Sequence, residues 1–372
     1  MTDGYRADHV GSLLRPPELL EARANHAAGR ISDEQLKSVE DNAVLKALEL
    51  QGQTGVSIFS DGEYRRSGWG GDFAAAVDGY VPGIRKVNLE WHGPEGAQRP
   101  GQAQLANSRV IGERLRQKRR LTEYESGFLK QHAPGPIKVT MPAASYIGAR
   151  GYFPGESEKA YPTRVEALND IVKIIRSEIE ALIAEGVAYI QLDNPHYPDY
   201  VDAGMREQWH ALGVDLDQML REDIAADAAC LDGLERDGVT IAMHLCRGNS
   251  RSGWHTSGGY DAISEQVFGG IPVDRWLLEY ESERSGGFGP LKAMPKGRTV
   301  VLGLISSKDP TLESYDDLLR RVDEAAGYVP TENLALSPQC GFASVVEGNL
   351  LSWDEQRRKL ELVADTARKI WG

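Results

Sequence analysis

Hydrophobic positions along the chain fall into two alternating patterns: short apolar runs, and longer stretches with apolar residues three and four apart. The short runs are ADHVGSL (7–13), VSIFSDGEY (56–64), PIKVTMPAAS (136–145), AYIQLDNP (188–195), VTIAMHLCRG (239–248), RWLLEYES (275–282), TVVLGLISSK (299–308) and LALSPQCGF (334–342). Helical spacing predicts helices from Pro17 to Ala28, from Ser32 to Leu50, from Tyr161 to Ala184 and from Met205 to Leu234. Others are expected near 260–268, over 311–326 and from Trp353 to Trp371. Asp33 and Glu34 suit the N-terminal end of the second helix, where the dipole favours acidic groups. Strands alternating with helices imply parallel pairing through crossovers, and eight of them fit a closed (β/α)8 TIM barrel better than an open sheet. The chain has no Gly-x-Gly-x-x-Gly after a strand and no P-loop, which removes the usual signatures of a doubly wound nucleotide-binding sheet.

One region breaks the rhythm. Residues 65–110 are rich in glycine and weakly periodic, and DGYVPGIRKVNLEWHG (78–93) suggests a hairpin. We therefore read 1–372 as a single barrel with an insertion over 65–135 after strand two, a lid or an arm that could serve a homo-oligomer. Composition narrows the partners. A hydrophobic fraction of 41% supports a substantial core, while 55 acidic against 42 basic side chains give a net charge of −13 that repels phosphate backbones. Nucleic acid is excluded on that ground, and the basic run RLRQKRR (114–120) reads as a solvated face of a helix or turn. No apolar stretch approaches the ~20 residues that span a bilayer, and MTDGYRADHV lacks a signal-peptide core, so no membrane partner and a cytoplasmic location are expected. Three cysteines, Cys230, Cys246 and Cys340, are too few for a disulfide framework and remain available as thiols.

In a barrel of this kind the C-terminal strand ends carry the chemistry. Those ends hold His9 and Ser12, Asp61 and Glu63, Asp193, His244 and Cys246, Glu279 and Glu281, and Cys340. Each has a plainer reading: Ser12 could cap a helix, Glu63 could pair with Arg65 or Arg66, and Asp193 before Asn194-Pro195 could form an Asx-turn. His244 and Cys246, two apart on a strand, point to the same face, although a buried cysteine beside a core histidine is the commoner arrangement. Taken together, His244, Cys246, Glu279 and Cys340 offer an imidazole, two thiols and a carboxylate from three strands. That donor set suits Zn2+, and the absence of Cys-x-x-Cys knuckles favours a working metal over a structural one. Cys230, in DIAADAACLDGL, is expected to pack in a helix.

These residues carry a resemblance. HLC (244–246), LLEYES (277–282) and SPQCGF (337–342) are similar to the zinc-binding motifs of the cobalamin-independent methionine synthase family. HVGSLLRP (9–16), SDGEYRR (60–66) and YIQLDNP (189–195) resemble three further segments of that family. The likeness spans nearly the whole chain but only the catalytic half of the longer two-barrel enzymes. It implies a zinc-dependent S-alkyltransferase using a small-molecule thiol and an alkyl donor, with methyl transfer to homocysteine or a similar thiol as the expected reaction. By the same resemblance Ser12, Glu63 and Asp193 hold the amino-acid part of the substrate. Acid catalysis on the donor has to come from elsewhere, with Asp193, His9 or a nearby tyrosine as candidates. The sequence departs from the family in three places: GPIKVTMPAAS (135–145) lacks an aromatic after its strand, GLISSK (303–308) puts Ser306 where the family has histidine, and Asn194 replaces a glutamate. An epoxide-opening transferase of the epoxyalkane:coenzyme M type is the alternative, with Arg6, Arg65, Arg66 or Arg247 holding a sulfonate. A non-catalytic metal- or thiol-binding barrel is the alternative of another class.

Overall fold

The computed structural model describes residues 4–70, 73–83, 87–94 and 108–372. Two helices follow an extended N-terminal segment. Pro17–Ala27 begins on a proline, whose fixed φ suits a first helical turn, and Asp33–Thr54 opens with a capping box between Ser32 and Gln35. The second helix runs past the expected Leu50 to Gly55, which ends it at φ 81°. Polar residues hid that last turn: Gln51 is fully buried, with its amide donating to Ala47 O and Ser60 O. Strand β1 (Val77–Gly83) then pairs antiparallel with β2 (Ser108–Gln117). The insertion thus contains a hairpin, but its second strand lies at 108–117 and not within 78–93. The basic run at 114–120 consequently starts in a strand instead of a helix or turn, with the Arg114 and Arg116 side chains exposed on one face.

Six parallel strands come next, paired in sequence order: β3 (Lys138–Pro142), β4 (Tyr189–Asp193), β5 (Thr240–Leu245), β6 (Arg275–Glu279), β7 (Thr299–Ile305) and β8 (Leu334–Pro338). Crossover helices Arg164–Ala184, Leu216–Ala229, Ser264–Gly270 and Tyr315–Ala326 connect them. The expected helix over 205–234 is two, Ala203–Ala211 and Leu216–Ala229, divided at Gly213 (φ 73°) and restarted by the Asp215 cap. Hydrogen bonds from the N-terminal segments complete the ring. Asp8 N donates to Leu336 O of β8 (2.9 Å), Ser57 N to Ala7 O (2.8 Å), Phe59 N to Pro136 O (3.0 Å) and Lys138 N back to Phe59 O (2.7 Å). Eight extended segments therefore close a barrel, as the alternation of strands and helices implied.

Inside the ring, Val10, Ile58, Tyr189, Ala242, Leu277, Val301 and Ala335 form a compact cluster, one residue from each segment except β3. There the chain supplies Lys138, which aligns with Tyr189. Because alternate residues share a face, Tyr189, Gln191 and Asp193 climb the inner side of β4. Asp193 aligns with His244 at the C-terminal end, where β6 also delivers Glu279. A larger apolar cluster fills the space between the strands and the surrounding helices.

Candidate active site

Four donors meet at that end of the barrel. His244 stands near the end of β5, Cys246 follows it, Glu279 closes β6 and Cys340 comes two residues after β8. One ligand atom from each lies within 4.8 Å of all the others, and Cys246 Sγ is 3.3 Å from Cys340 Sγ. A zinc ion bonds N, O and S at about 2.0–2.3 Å in a tetrahedron, a size these four donors fit. His244 Nδ1 faces Leu277 O at 3.3 Å while Nε2 is buried without a partner. Metal-binding imidazoles are commonly oriented in this way by a carbonyl on the far nitrogen, and an orphaned buried nitrogen is costly unless something satisfies it. Glu279 Oε1 accepts from Arg247 N at 2.9 Å, and Oε2 lies 3.4 Å from Arg284 Nη2. The hydrogen bond from Cys246 and the imidazole of His244 hold Cys340 well below the usual thiol range, while its partner Cys246 is pushed up.

The cluster floors a cleft with about 720 Å³ of empty space, its open mouth included. Of the residues singled out from the sequence, Ser12, Glu63, Asp193, His244, Cys246 and Cys340 line it, with Glu279 behind them. Glu63 sits at φ 60°, a conformation unusual for a non-glycine residue, and its N–H is held by Asp61 Oδ1 at 2.9 Å. Thr140 Oγ1 donates to Glu63 Oε1 at 2.9 Å, but Oε2 is buried without a partner. Asp193 Oδ1 accepts from Gln191 Nε2 at 2.7 Å, and burial pushes its carboxyl up to about 7. Burial likewise raises Glu63. This acidic corner has unused acceptors that match an ammonium group.

Other candidates lie elsewhere. His9 is not among the lining residues; its Nε2 is 3.0 Å from Ile58 O, and burial lowers its imidazole to about 4. Arg6 donates to Leu334 O, Arg65 pairs with Asp41, Arg66 is clamped on Glu125, and Arg247 lies 4.3 Å over the Tyr260 ring, so none of these four arginines lines the cleft. Ser306 Oγ accepts the N–H groups of Lys308 and Asp309 in a turn. Cys230 is fully buried just after the helix Leu216–Ala229. The sequence reading missed Trp69, Trp91, Tyr146, Arg150, Asn249 and His255, all of which line the cleft. Tyr146, tilted against Trp69 at 4.8 Å, and Trp91 from the insertion bring aromatic rings to the cleft wall. His92 and Trp254 exchange backbone hydrogen bonds at 2.7 and 2.9 Å, docking the insertion onto the loop after β5. Both tryptophans lie in the glycine-rich, non-periodic stretch, where no pattern shows which way a side chain faces.

Residues 7–369 match the family described as cobalamin-independent synthase, catalytic domain. The chain belongs to this family. YxjH of Bacillus subtilis (strain 168), an uncharacterized protein, is 37% identical over 99% of the chain and 95% of its own length. A methionine synthase of Pyrococcus abyssi is 23% identical over 90% of the chain and 85% of its own length. Among solved structures, a Listeria monocytogenes protein assigned to the vitamin-B12 independent methionine synthases aligns over 100% of this chain and 99% of its own, with a TM-score of 0.77 and 27% identity. A B12-independent methionine synthase from Shewanella sp. W3-18-1, in complex with selenomethionine, covers 97% and 96% with a TM-score of 0.73 and 19% identity, a likeness of fold. Membership of the cobalamin-independent synthases makes the protein a transferase. No helix among the described residues is long and apolar enough to cross a membrane.

Proposed function

We propose that the protein is a zinc-dependent S-methyltransferase acting on a small thiol amino acid, homocysteine or a close relative. The observation that carries this reading is the convergence of His244, Cys246, Glu279 and Cys340 on one point below a cleft whose other corner is acidic. Two thiolates make the donor set soft, which favours zinc over magnesium or calcium. When bound, zinc would hold the substrate thiol as its reactive thiolate at neutral pH, where a free thiol with a pKa near ~8.5 is mostly protonated. Glu279 is the hardest of the four donors and already has Arg247 N and Arg284 as hydrogen-bonding partners, so it has a place to rest if an incoming thiol displaces it. Glu63 and Asp193 are assigned to the substrate ammonium, and Ser12 to the same amino-acid end. Of the two proton carriers suggested by the sequence, Asp193 lies in the cleft and His9 does not line it, and the Asp193 carboxylate is taken by the substrate ammonium. Trp69, Trp91 and Tyr146 wall the remaining volume, where the alkyl donor would enter.

Methionine synthases among the relatives, and the selenomethionine complex of the Shewanella protein, support an amino-acid thioether as product. The coenzyme M alternative lacks comparable support, since the four arginines named for its sulfonate are engaged outside the cleft. Incubating the zinc-loaded protein with homocysteine and a panel of methyl donors, and in parallel with coenzyme M and an epoxide, separates the readings by mass spectrometry. Methionine is the expected product. A coenzyme M thioether alone, or no turnover with any pair, would contradict the proposal.

A further inference from the structure

Where seven segments of the barrel place a compact, mostly apolar cluster, β3 contributes a lysine, and a column of hydrogen bonds rises from it to the cleft. At the base, Asp8 Oδ2 accepts from Tyr189 OH at 2.8 Å, with Arg275 Nη2 3.9 Å away. Asp8 Oδ1 accepts from Lys138 Nζ at 2.5 Å. The same ammonium donates to His9 O at 2.6 Å and Gln191 Oε1 at 3.0 Å, which uses its three donors. Gln191 Nε2 then donates to Val10 O at 2.6 Å and Asp193 Oδ1 at 2.7 Å. Asp8, Lys138, Tyr189 and Gln191 are each at most 1% exposed.

Such a column is a poor choice for stability alone, because a buried ion pair often stabilises less than apolar residues of similar volume. What it does achieve is a single orientation for one amide. Flipping Gln191 would set its oxygen against Val10 O and the Asp193 carboxylate, and its NH2 against the Lys138 ammonium. Three contacts would become repulsive, so only one orientation survives. We infer that Lys138 and Gln191 are positioning residues for amino-group recognition: they pin one oxygen of Asp193 and leave the other for the ammonium of the thiol substrate. Asp193 accepts no other side-chain hydrogen bond among the described residues. The neighbouring strand repeats the device, with Thr140, two residues after Lys138, holding one oxygen of Glu63 and leaving the other without a partner. The inference rests on the assignment of Asp193 to the substrate amino group.

Isothermal titration of the zinc-loaded protein with homocysteine and with 4-mercaptobutanoate, the same thiol without its amino group, tests it. Gln191→Leu removes the pinning hydrogen bond. Gln191→Glu retains an acceptor for Lys138 but presents a carboxylate to Asp193. Both variants are expected to weaken homocysteine binding by about 10–100-fold, the range for a lost hydrogen bond to a charged group. Binding of 4-mercaptobutanoate should change by less than about 3-fold, which also reports an intact fold and metal site. Unchanged homocysteine binding, or an equal loss for both thiols, would overturn the inference. If the wild-type protein fails to distinguish the two thiols, the assignment of Asp193 fails first, and the inference with it.

Discussion

Cysteines give the sharpest residue-level contrast, because three buried thiols occupy two different environments. Cys246 and Cys340 face each other beside His244 and Glu279, whereas Cys230 follows a helix away from the cleft, where burial pushes its thiol up. Cys246→Ser and Cys340→Ser are expected to lose zinc and turnover together, since thiolates dominate the affinity of such a site. Cys230→Ala should retain its metal and its rate. Elemental analysis alongside an activity assay checks both expectations; full zinc in the serine variants would contradict the ligand assignment. The donor set was legible in the sequence because His244 and Glu279 sit on strands near their C-terminal ends and Cys246 and Cys340 follow strand ends within two residues. The cleft position of Asp193 was legible for the same reason. Trp69 and Trp91 were not, because they depend on long-range docking of a segment without periodicity.

Among the elements, the turn after β8 ties metal chemistry to substrate binding. A Cβ built on Gly341 would lie 2.0 Å from Ser12 Oγ, and Phe342 N donates to Ser12 O at 2.9 Å, so this glycine sets where Ser12 stands. Gly341→Ala is therefore expected to displace the Ser12 hydroxyl and raise KM for the thiol substrate by about tenfold, the scale of one lost hydrogen bond. Zinc content should remain normal; an unchanged KM would remove Ser12 from the binding role. The parallel strands were readable from their short apolar runs. The partner of β1 was not, since cross-strand pairing depends on contacts distant in sequence. The helix expected over 205–234 concealed its break because Leu212 and Val214 continue the apolar pattern on either side of Gly213.

At the scale of the whole molecule, buried titratable groups couple stability to pH in opposing directions. Burial lowers His255 to about 4, with Asp199 and Asp202 opposing the shift and Arg150 and Lys308 adding to it. Between pH 6.5 and about 4 the unfolded chain binds a proton at this histidine that the folded chain does not, so its contribution to stability falls as pH falls. Asp193 and Asp227, raised by burial to about 7 and about 6, act in the opposite sense, and the total curve therefore conceals each. The difference between wild type and His255→Gln isolates one. Denaturant unfolding should show the variant gaining on wild type by something on the order of 3 kcal/mol between pH 6.5 and 4; a constant difference across that window would show that His255 is not held neutral.

The central claim is that His244, Cys246, Glu279 and Cys340 together hold a zinc ion that receives the substrate sulfur, and zinc-edge X-ray absorption with and without homocysteine addresses it most directly. The account predicts two sulfur neighbours in the thiol-free protein, with nitrogen and oxygen completing the shell, and three sulfurs with one oxygen fewer under saturating thiol. A sulfur count that stays at two while the thiol is bound, or a zinc shell without sulfur in the resting protein, would contradict it.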